Sequence, residues 1–120
     1  MPCIFFEDLP KDFVADPNAA VRLYLDVASA AGVSADNVEI HLGYKRYQIL
    51  NADGSTHPAP DVHIFVEWTE RPFRAKERVA AAIHEFCVAH GLQSDLAFRD
   101  SGPGTFFVNG KLIGEPPAED

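Results

Sequence analysis

The sequence predicts an α+β fold: a four-stranded sheet, two helices packed on one face of it, and a β-hairpin at the carboxyl end. Two observations carry this prediction. Short apolar or alternating segments are typical of strands, and two longer segments show apolar residues at helical spacing. These segments also follow a strand–helix–strand order twice, as a structural repeat with little residue identity. Each repeat needs parallel pairing through a right-handed crossover, which its helix supplies.

The first repeat opens with an apolar strand over residues 3–6, and residues 7–15 are predicted to form a connecting loop. Asp16 followed by Pro17 is typical of a helix start, because Asp caps free N–H groups and Pro favours the first helical position. The helix is expected to end at Gly32, since glycine readily adopts the conformation of a C-terminal cap.

The second strand of this repeat is predicted over residues 38–42, where apolar and polar residues alternate, with Leu42 among the side chains that face the core. Residues 44–50 are predicted to continue this strand after a bend at Gly43. Residues 51–60 contain an Asp-Gly pair and two prolines, which predict a turn or a mobile loop.

The second repeat is predicted as a strand over residues 62–68, a helix over residues 73–90 and a short strand over residues 96–99. The pair Asn109-Gly110 then predicts a type I′ hairpin. The phenylalanines that precede this turn lie on an edge element, so we expect them to pair with a neighbouring subunit.

Composition argues against several classes of function. The chain has 120 residues, 47% of them apolar and 23% charged, as expected for one globular domain. We assign residues 1–114 to this domain and expect residues 115–120 to form a disordered tail. The net charge of −8 argues against nucleic acid or an anionic membrane as a partner. No segment approaches the ~20 apolar residues of a membrane span, and no signal segment is recognised, so a cytoplasmic location is expected.

Motifs for cofactors and metals are absent from the sequence. It has no phosphate-binding loop, dinucleotide fingerprint or nucleophile motif. Cys3 and Cys87 make no convincing disulfide framework, and we interpret both as small buried apolar residues. The histidines lack the paired spacing of metal ligands. We therefore expect no cofactor and no metal.

Pro2 is the residue on which a functional prediction can be built. It follows Met1 directly and precedes the apolar strand. If Met1 is removed, the chain begins with a secondary amine at the mouth of a buried strand. A terminal amine has a pKa of ~7.7–8.0 and apolar surroundings lower it, so this nitrogen suits a general base near neutral pH. The alternative is that Pro2 only starts a strand.

Three segments, in their order and spacing, resemble known proteins: GVSADNVEIHL at residues 32–42, HIFVEW at residues 63–68 and FFVNG at residues 106–110. Together with the opening Met-Pro, they resemble the tautomerase superfamily, which includes 4-oxalocrotonate tautomerase and macrophage migration inhibitory factor, and most closely its DUF1904 branch. The resemblance implies a homotrimer with active sites at subunit boundaries and no cofactor. It also implies that Pro2 is the base for proton transfer between an enol and a ketone next to a carboxylate.

The resemblance also suggests where the substrate carboxylate binds. Arg71 occupies the strand-to-helix junction at which 4-oxalocrotonate tautomerase has a substrate-binding arginine. Arg71 and Arg74 are therefore predicted to bind the substrate near a helix N-terminus, which itself favours anions. The alternative is that both are solvated surface residues that offset Glu70 and Glu77.

Glu39, His41 and Tyr47 complete the predicted substrate-binding set. Glu39 and His41 share a strand face because they are two residues apart, and Tyr47 could donate a hydrogen bond to a developing enolate. Surface positions are the alternative for all three. The resemblance is incomplete, because Glu39 stands where 4-oxalocrotonate tautomerase has a second arginine and Val33 where macrophage migration inhibitory factor has a lysine.

The leading prediction is a cofactor-independent tautomerase or isomerase that uses Pro2 as general base on a small carbonyl-containing acid. A non-catalytic ligand-binding or assembly module on the same trimeric scaffold is the first alternative. A ferredoxin-like monomer without such a site is the second.

Overall fold

The computed structural model describes residues 2–45, 47–59 and 61–119 and has the predicted α+β architecture. Its elements, in chain order, are β1 Cys3–Leu9, α1 Pro17–Ala31, β2 Glu39–Tyr44, β3 Gln48–Leu50, β4 Thr56–Pro58, β5 Val62–Thr69, α2 Phe73–Ala89, β6 Ser94–Ser101, β7 Phe107–Val108 and β8 Lys111–Leu112. A short 3₁₀ turn, Ala35–Asn37, precedes β2. The main sheet has the strand order β2-β1-β5-β6.

The pairing of the main sheet confirms the two-repeat prediction. β1 is parallel to β2 and β5 is parallel to β6, as crossover units require. The repeats join through antiparallel pairing of β1 with β5. The first residues of β1 and β2 therefore lie at the same end of the sheet as the last residues of β5 and β6. We call this the proline end, and its residues are Pro2, Glu39, Thr69 and Ser101.

The two helices begin differently. At α1 the Asp16 side chain accepts a hydrogen bond from the Ala19 N–H at 2.9 Å, and Gly32 ends the helix in the left-handed conformation, both as predicted. At α2, Pro72 precedes the first turn, and no side chain of the described residues caps it. The Ala75 N–H donates to the Pro72 carbonyl oxygen at 2.9 Å, so the uncapped N–H groups of this turn are those that precede Ala75.

The hydrophobic core lies between the helices and one face of the main sheet. Strand residues on this face are almost fully buried, as are the helix residues opposite them: Ile4, Phe6, Ile64, Val66, Trp68, Leu23, Val27, Val79 and Ile83. Alternate strand residues point to the other face, where no helix packs. We call it the open face, and its residues are Cys3, Phe5, Glu39, His41, His63, Phe65, Glu67, Asp95 and Arg99.

The prediction of a loop over residues 7–15 is wrong at its first residues, because β1 continues to Leu9. The strand stays in the sheet through a bulge at Asp8, whose φ of 65° returns Leu9 to the core. Gly43 of β2 lies opposite this bulge. A Cβ at Gly43 would lie 3.1 Å from the carbonyl oxygen of Phe6, so a side chain there would crowd β1.

Three other boundaries also differ from the prediction. Leu42 is 41% exposed and does not reach the core. β2 continues through Gly43 only as far as Tyr44, whereas residues 48–50 form β3 and pair with β4 in a separate hairpin, so the predicted loop over residues 51–60 contains a strand. β6 is longer than residues 96–99, because it pairs with β5 along its whole length.

The carboxyl end contains the predicted hairpin of β7 and β8. The φ values of 51° at Asn109 and 78° at Gly110 are those that a type I′ turn requires. Phe107 in β7 is 58% exposed. Neither helix, in the part of the chain that the structure describes, is both long and apolar enough to cross a membrane.

Candidate functional site

Pro2 and the junction before α2 lie at the same end of the sheet. Pro2 precedes β1, and its carbonyl oxygen accepts a hydrogen bond from the Glu39 N–H at 3.0 Å. Arg71 follows β5 and precedes α2. Because β1 and β5 are antiparallel, the start of one is adjacent to the end of the other. Both repeats therefore contribute to a candidate site at the proline end.

The Pro2 side chain is less than 2% exposed. Its backbone carbonyl is paired with β2, which holds the residue in the sheet. Apolar surroundings disfavour the charged form of an amine, so this position suits a nitrogen that must accept a proton. The removal of Met1, which a free nitrogen requires, concerns a residue outside those described.

The Arg71 side chain is anchored to backbone carbonyl groups at the ends of α1 and β5. Its Nε donates to the carbonyl oxygen of Ala31 at 3.0 Å, and its Nη1 donates to the Thr69 carbonyl at 2.7 Å and the Thr69 hydroxyl at 3.2 Å. The guanidinium lies 5.0 Å from the centroid of the Trp68 ring. Burial lowers the pKa of Arg71. These bonds use the N–H groups of Nε and Nη1, so those of Nη2 are the ones that can meet a ligand.

A cleft of about 510 Å³ opens beside Arg71. The end of β5, the loop after β6 and the segment after β8, with Ile113 and Glu115, line it. Arg74, in the first turn of α2, is exposed. Neither Pro2 nor Arg74 is among the described residues that line this cleft. Within one chain, Pro2 and Arg71 therefore share a sheet end, but Pro2 does not line the cleft beside Arg71.

Glu39 and His41 lie together on the open face. The His41 Nε2 is 3.1 Å from Oε1 of Glu39, and the His41 ring stacks on Phe5 with 4.7 Å between centroids. Cys3 is the partner of Glu39 on the adjacent strand. Burial raises the pKa of the Cys3 thiol, and the charges of Glu39 and Glu67 raise it further. These polar groups therefore form a cluster on the open face, near the proline end.

Tyr47 lies at the opposite end of the sheet. It is 68% exposed and lines a separate cleft of about 220 Å³ with Asp8, His41 and Tyr44. β1 has seven residues, and a strand rises ~3.3 Å per residue, so roughly 20 Å separates its two ends. Within one chain, Tyr47 is not brought to Pro2.

Sequence reasoning missed the surroundings of Cys3. The thiol is half-buried on the open face, between Glu39 and Glu67 on the two neighbouring strands, whereas Cys87 is buried as predicted. Arg99 donates to the Glu67 carboxylate at 3.3 Å. The signal in the sequence was strand alternation, which puts Cys3 on the face opposite the core residues of β1.

No family model matches this chain, and no curated protein matches it in sequence. Solved structures match its fold. A protein with a domain of unknown function, DUF1904, from Sebaldella termitidis has a TM-score of 0.72 and 20% identity, over 92% of this chain and 97% of that chain.

Two further structures have the same fold. A fused 4-OT, an asymmetric trimer, has a TM-score of 0.67 and 18% identity, over 91% of this chain and 94% of that chain. Macrophage migration inhibitory factor from Toxoplasma gondii has a TM-score of 0.62 and 19% identity, over 92% of this chain and 96% of that chain. The predicted tautomerase-type fold, with a DUF1904 structure among its neighbours, is confirmed.

Proposed function

We propose that this chain is a cofactor-independent tautomerase or isomerase of the tautomerase superfamily, close to the DUF1904 branch. Pro2 is the general base once Met1 has been removed, and the substrate is a small acid with a carbonyl next to its carboxylate. The observation that carries the proposal is a buried Pro2 at the sheet end where Arg71 is anchored. The fold neighbours support it.

The reaction needs only proton transfer. The Pro2 nitrogen removes a proton from the carbon next to the carbonyl, and the electron pair of that bond forms an enolate. Return of the proton from the nitrogen to another position of the enolate gives the isomer and restores the free amine. A base whose pKa lies near the working pH is suited to both steps.

Arg71 is proposed to hold the substrate carboxylate. Its guanidinium is already ordered by Ala31 and Thr69, so binding a ligand through Nη2 loses little side-chain entropy. Arg74 adds positive charge at the uncapped start of α2. Glu39 would repel an anionic substrate, and its contact with His41 reduces that repulsion when the imidazole is protonated.

We further propose a homotrimer located in the cytoplasm. Pro2 and Arg71 do not line one cleft within the chain, so a neighbouring copy would have to complete the site and could supply Tyr47. The exposed Phe107 of the terminal hairpin is a surface that such a copy could cover.

The test of Pro2 is the tautomerisation of phenylenolpyruvate by the wild type and by Pro2→Ala, after intact mass has shown that both lack Met1. Alanine also permits Met1 removal, so the substitution exchanges a secondary amine for a primary one. We expect kcat/KM to fall by up to about 100-fold, because the alanine amine is still a base but the proline ring no longer positions it. Pro10→Ala, beyond the other end of β1, is the matched control and should keep wild-type activity.

Two results would refute the catalytic proposal. The first is retention of Met1 in the purified protein, since the nitrogen would then be an amide. The second is an equal rate in Pro2→Ala and the wild type.

The test of Arg71 is Arg71→Lys, which keeps the positive charge but removes the planar guanidinium group that can bind a carboxylate through two hydrogen bonds. We expect KM to rise by about 10-fold, the equivalent of one charge-assisted hydrogen bond of ~1.4 kcal/mol, with a smaller change in kcat. Arg78→Lys, on the exposed side of α2, is the matched control. An unchanged KM would exclude Arg71 from substrate binding.

A second candidate is a non-catalytic ligand-binding or assembly module on the same scaffold. Glu39 favours it, because this carboxylate stands where the resemblance predicts an arginine and is paired with His41. Saturable binding of phenylpyruvate without turnover, weakened in Arg71→Lys and unchanged in Pro2→Ala, would establish this alternative.

A further inference from the structure

Three potential metal ligands of different kinds meet on the open face. Cys3 of β1 and Glu39 of β2 are directly opposed across the parallel pair, and His41 follows Glu39 by two residues on the same face. The Cys3 sulfur, one carboxylate oxygen and one imidazole nitrogen all lie within 4.8 Å of one another. No other group of three such residues comes this close within residues 2–45, 47–59 and 61–119.

We propose that Cys3, Glu39 and His41 form a binding site for Zn²⁺. Thiolate, imidazole and carboxylate are the three protein ligands that zinc uses. Zinc bonds of ~2.0–2.3 Å place tetrahedral ligand atoms about 3.3–3.8 Å apart. The His41 nitrogen and the Glu39 oxygen are 3.1 Å apart, slightly less than this separation. The three ligand atoms all lie within 4.8 Å of one another, slightly more than it, so small side-chain rotations suffice.

The surroundings hold the ligands in place. Cys3 and Glu39 lie on adjacent strands of the main sheet, which restrains their Cα positions. Phe5 stacks on the His41 ring with an interplanar angle of 14°, which restricts its rotation.

These three ligands would leave a fourth position on the metal. Glu67 is the other neighbour of Cys3, but it is not in the group whose ligand atoms meet within 4.8 Å, and its carboxylate contacts Arg99 at 3.3 Å. Three protein ligands with one free position are typical of zinc sites that bind water or a small anion. The geometry thus allows an exchangeable ligand on the open face, near the proline end.

A second pair on the open face provides a built-in comparison. His63 Nδ1 lies 2.8 Å from Asp95, also across a parallel strand pair, but no thiol joins them. Two exposed ligands hold zinc weakly. The proposal therefore requires that binding depend on Cys3 and His41 and not on His63.

The test is metal binding to the purified full chain under reducing conditions. Zn²⁺ stoichiometry is measured after dialysis, affinity by competition with a chromophoric chelator, and thiolate ligation by the near-ultraviolet absorption of the Co²⁺ form. The variants are Cys3→Ser, Glu39→Gln and His41→Asn, with Cys87→Ala and His63→Asn as matched controls. Circular dichroism establishes that each variant is folded, and Glu39→Gln and His41→Asn keep the test decisive if Cys3→Ser does not fold.

We expect one Zn²⁺ per chain, and a thiolate-to-cobalt band that Cys3→Ser removes. Each of the three ligand substitutions should weaken binding by about 100-fold, whereas the two controls should bind as the wild type does. Absence of binding by the wild type at micromolar free Zn²⁺ overturns the proposal, as does equal affinity in Cys3→Ser or an equal loss in His63→Asn. The measurement involves no turnover, so its outcome is independent of whether Pro2 is a catalytic base.

Discussion

The two faces of the main sheet are built from the same strands but from different chemistry. On the face under the helices, Ile4, Val66 and Trp68 have no exposed surface. On the open face, alternate residues of the same strands form polar or ionic pairs beside half-buried aromatic rings: His41 with Glu39, His63 with Asp95, and Arg99 with Glu67. The helices of the same chain cover one face, whereas the other face presents polar groups that can bind a ligand or a neighbouring subunit.

The difference has an energetic consequence. A fully buried aliphatic or aromatic side chain contributes about 1.5–3 kcal/mol, whereas an exposed ion pair contributes about 0–1 kcal/mol. The face under the helices, which we call the covered face, should therefore supply most of the stability of the domain. The charged pairs of the open face contribute little to it, which leaves them available for a ligand or a neighbouring subunit.

The largest expected effect is a difference in stability between substitutions at two adjacent residues of β5, one on each face of the sheet. Ile64→Ala should lower the free energy of unfolding by about 2–5 kcal/mol, because Ile64 is 1% exposed in the core. Phe65→Ala is the matched control on the open face and should cause a smaller loss. Urea denaturation of both variants measures the difference. An equal or larger loss in Phe65→Ala would contradict the comparison and show that the open face is covered by another copy.

The second effect tests the edge of the covered face. The indole N–H of the buried Trp68 donates to Asp100 at 2.8 Å, and Lys76 also contacts this carboxylate. Asp100→Ala should lower the free energy of unfolding by about 1–3 kcal/mol, because it leaves a buried donor without a partner. Asp100→Asn keeps an acceptor oxygen and should be less destabilising. Equal losses in urea denaturation would show that charge, not satisfaction of Trp68, matters.

The Asp100 pair also predicts a response to acid. Contact with Lys76, together with the Trp68 hydrogen bond, lowers the pKa of the Asp100 carboxyl. A lowered pKa means that this stabilisation is present above the pKa of the unfolded chain, ~3.9, and is lost as pH falls through the folded value. Asp100→Asn should therefore lose less stability than the wild type between pH 5 and pH 2.5. Parallel pH profiles would contradict this assignment.

Local patterns predicted the covered face because the residues that define it are close in sequence. The strand at residues 62–68 and the cap at Asp16 depend on neighbours within a few positions, and both are confirmed. The extension of β1 to Leu9 depends on a bulge opposite Gly43, across a strand pair that no local pattern contains. The hairpin of β3 and β4 was missed because its residues are all exposed and show no alternation.

The candidate site was predictable only in part for the same reason. Two repeats joined in antiparallel fashion place Pro2 and Arg71 at one end of the sheet, and that follows from the order of elements. The bond from Arg71 to the Ala31 carbonyl spans 40 positions and could not be read from the sequence. The meeting of Cys3 with Glu39 likewise depends on strand register, which the sequence alone leaves open.

The smallest expected effect lies on the open face, at His63 and Asp95. Their hydrogen bond raises the pKa of His63, and the charges of Asp95, Asp8 and Asp61 act in the same direction against partial burial. A raised pKa means that the pair stabilises the fold fully below the unfolded value of ~6.5 and that this contribution is lost as pH rises through the folded value. Both side chains are substantially exposed, at 39% and 60%, so the contribution is at most about 1 kcal/mol.

Urea denaturation at pH 5.5 and pH 8.5 measures this contribution. The wild type should lose more stability than Asp95→Asn over that interval, because only the wild type exchanges a charged pair for a neutral imidazole beside a carboxylate. Added salt should reduce the difference, since exposed charges are screened. A much larger difference that salt does not reduce would show that His63 and Asp95 are shielded from water. The open face would then be an interface between copies of the chain, and the contrast between the two faces would hold only for the isolated chain.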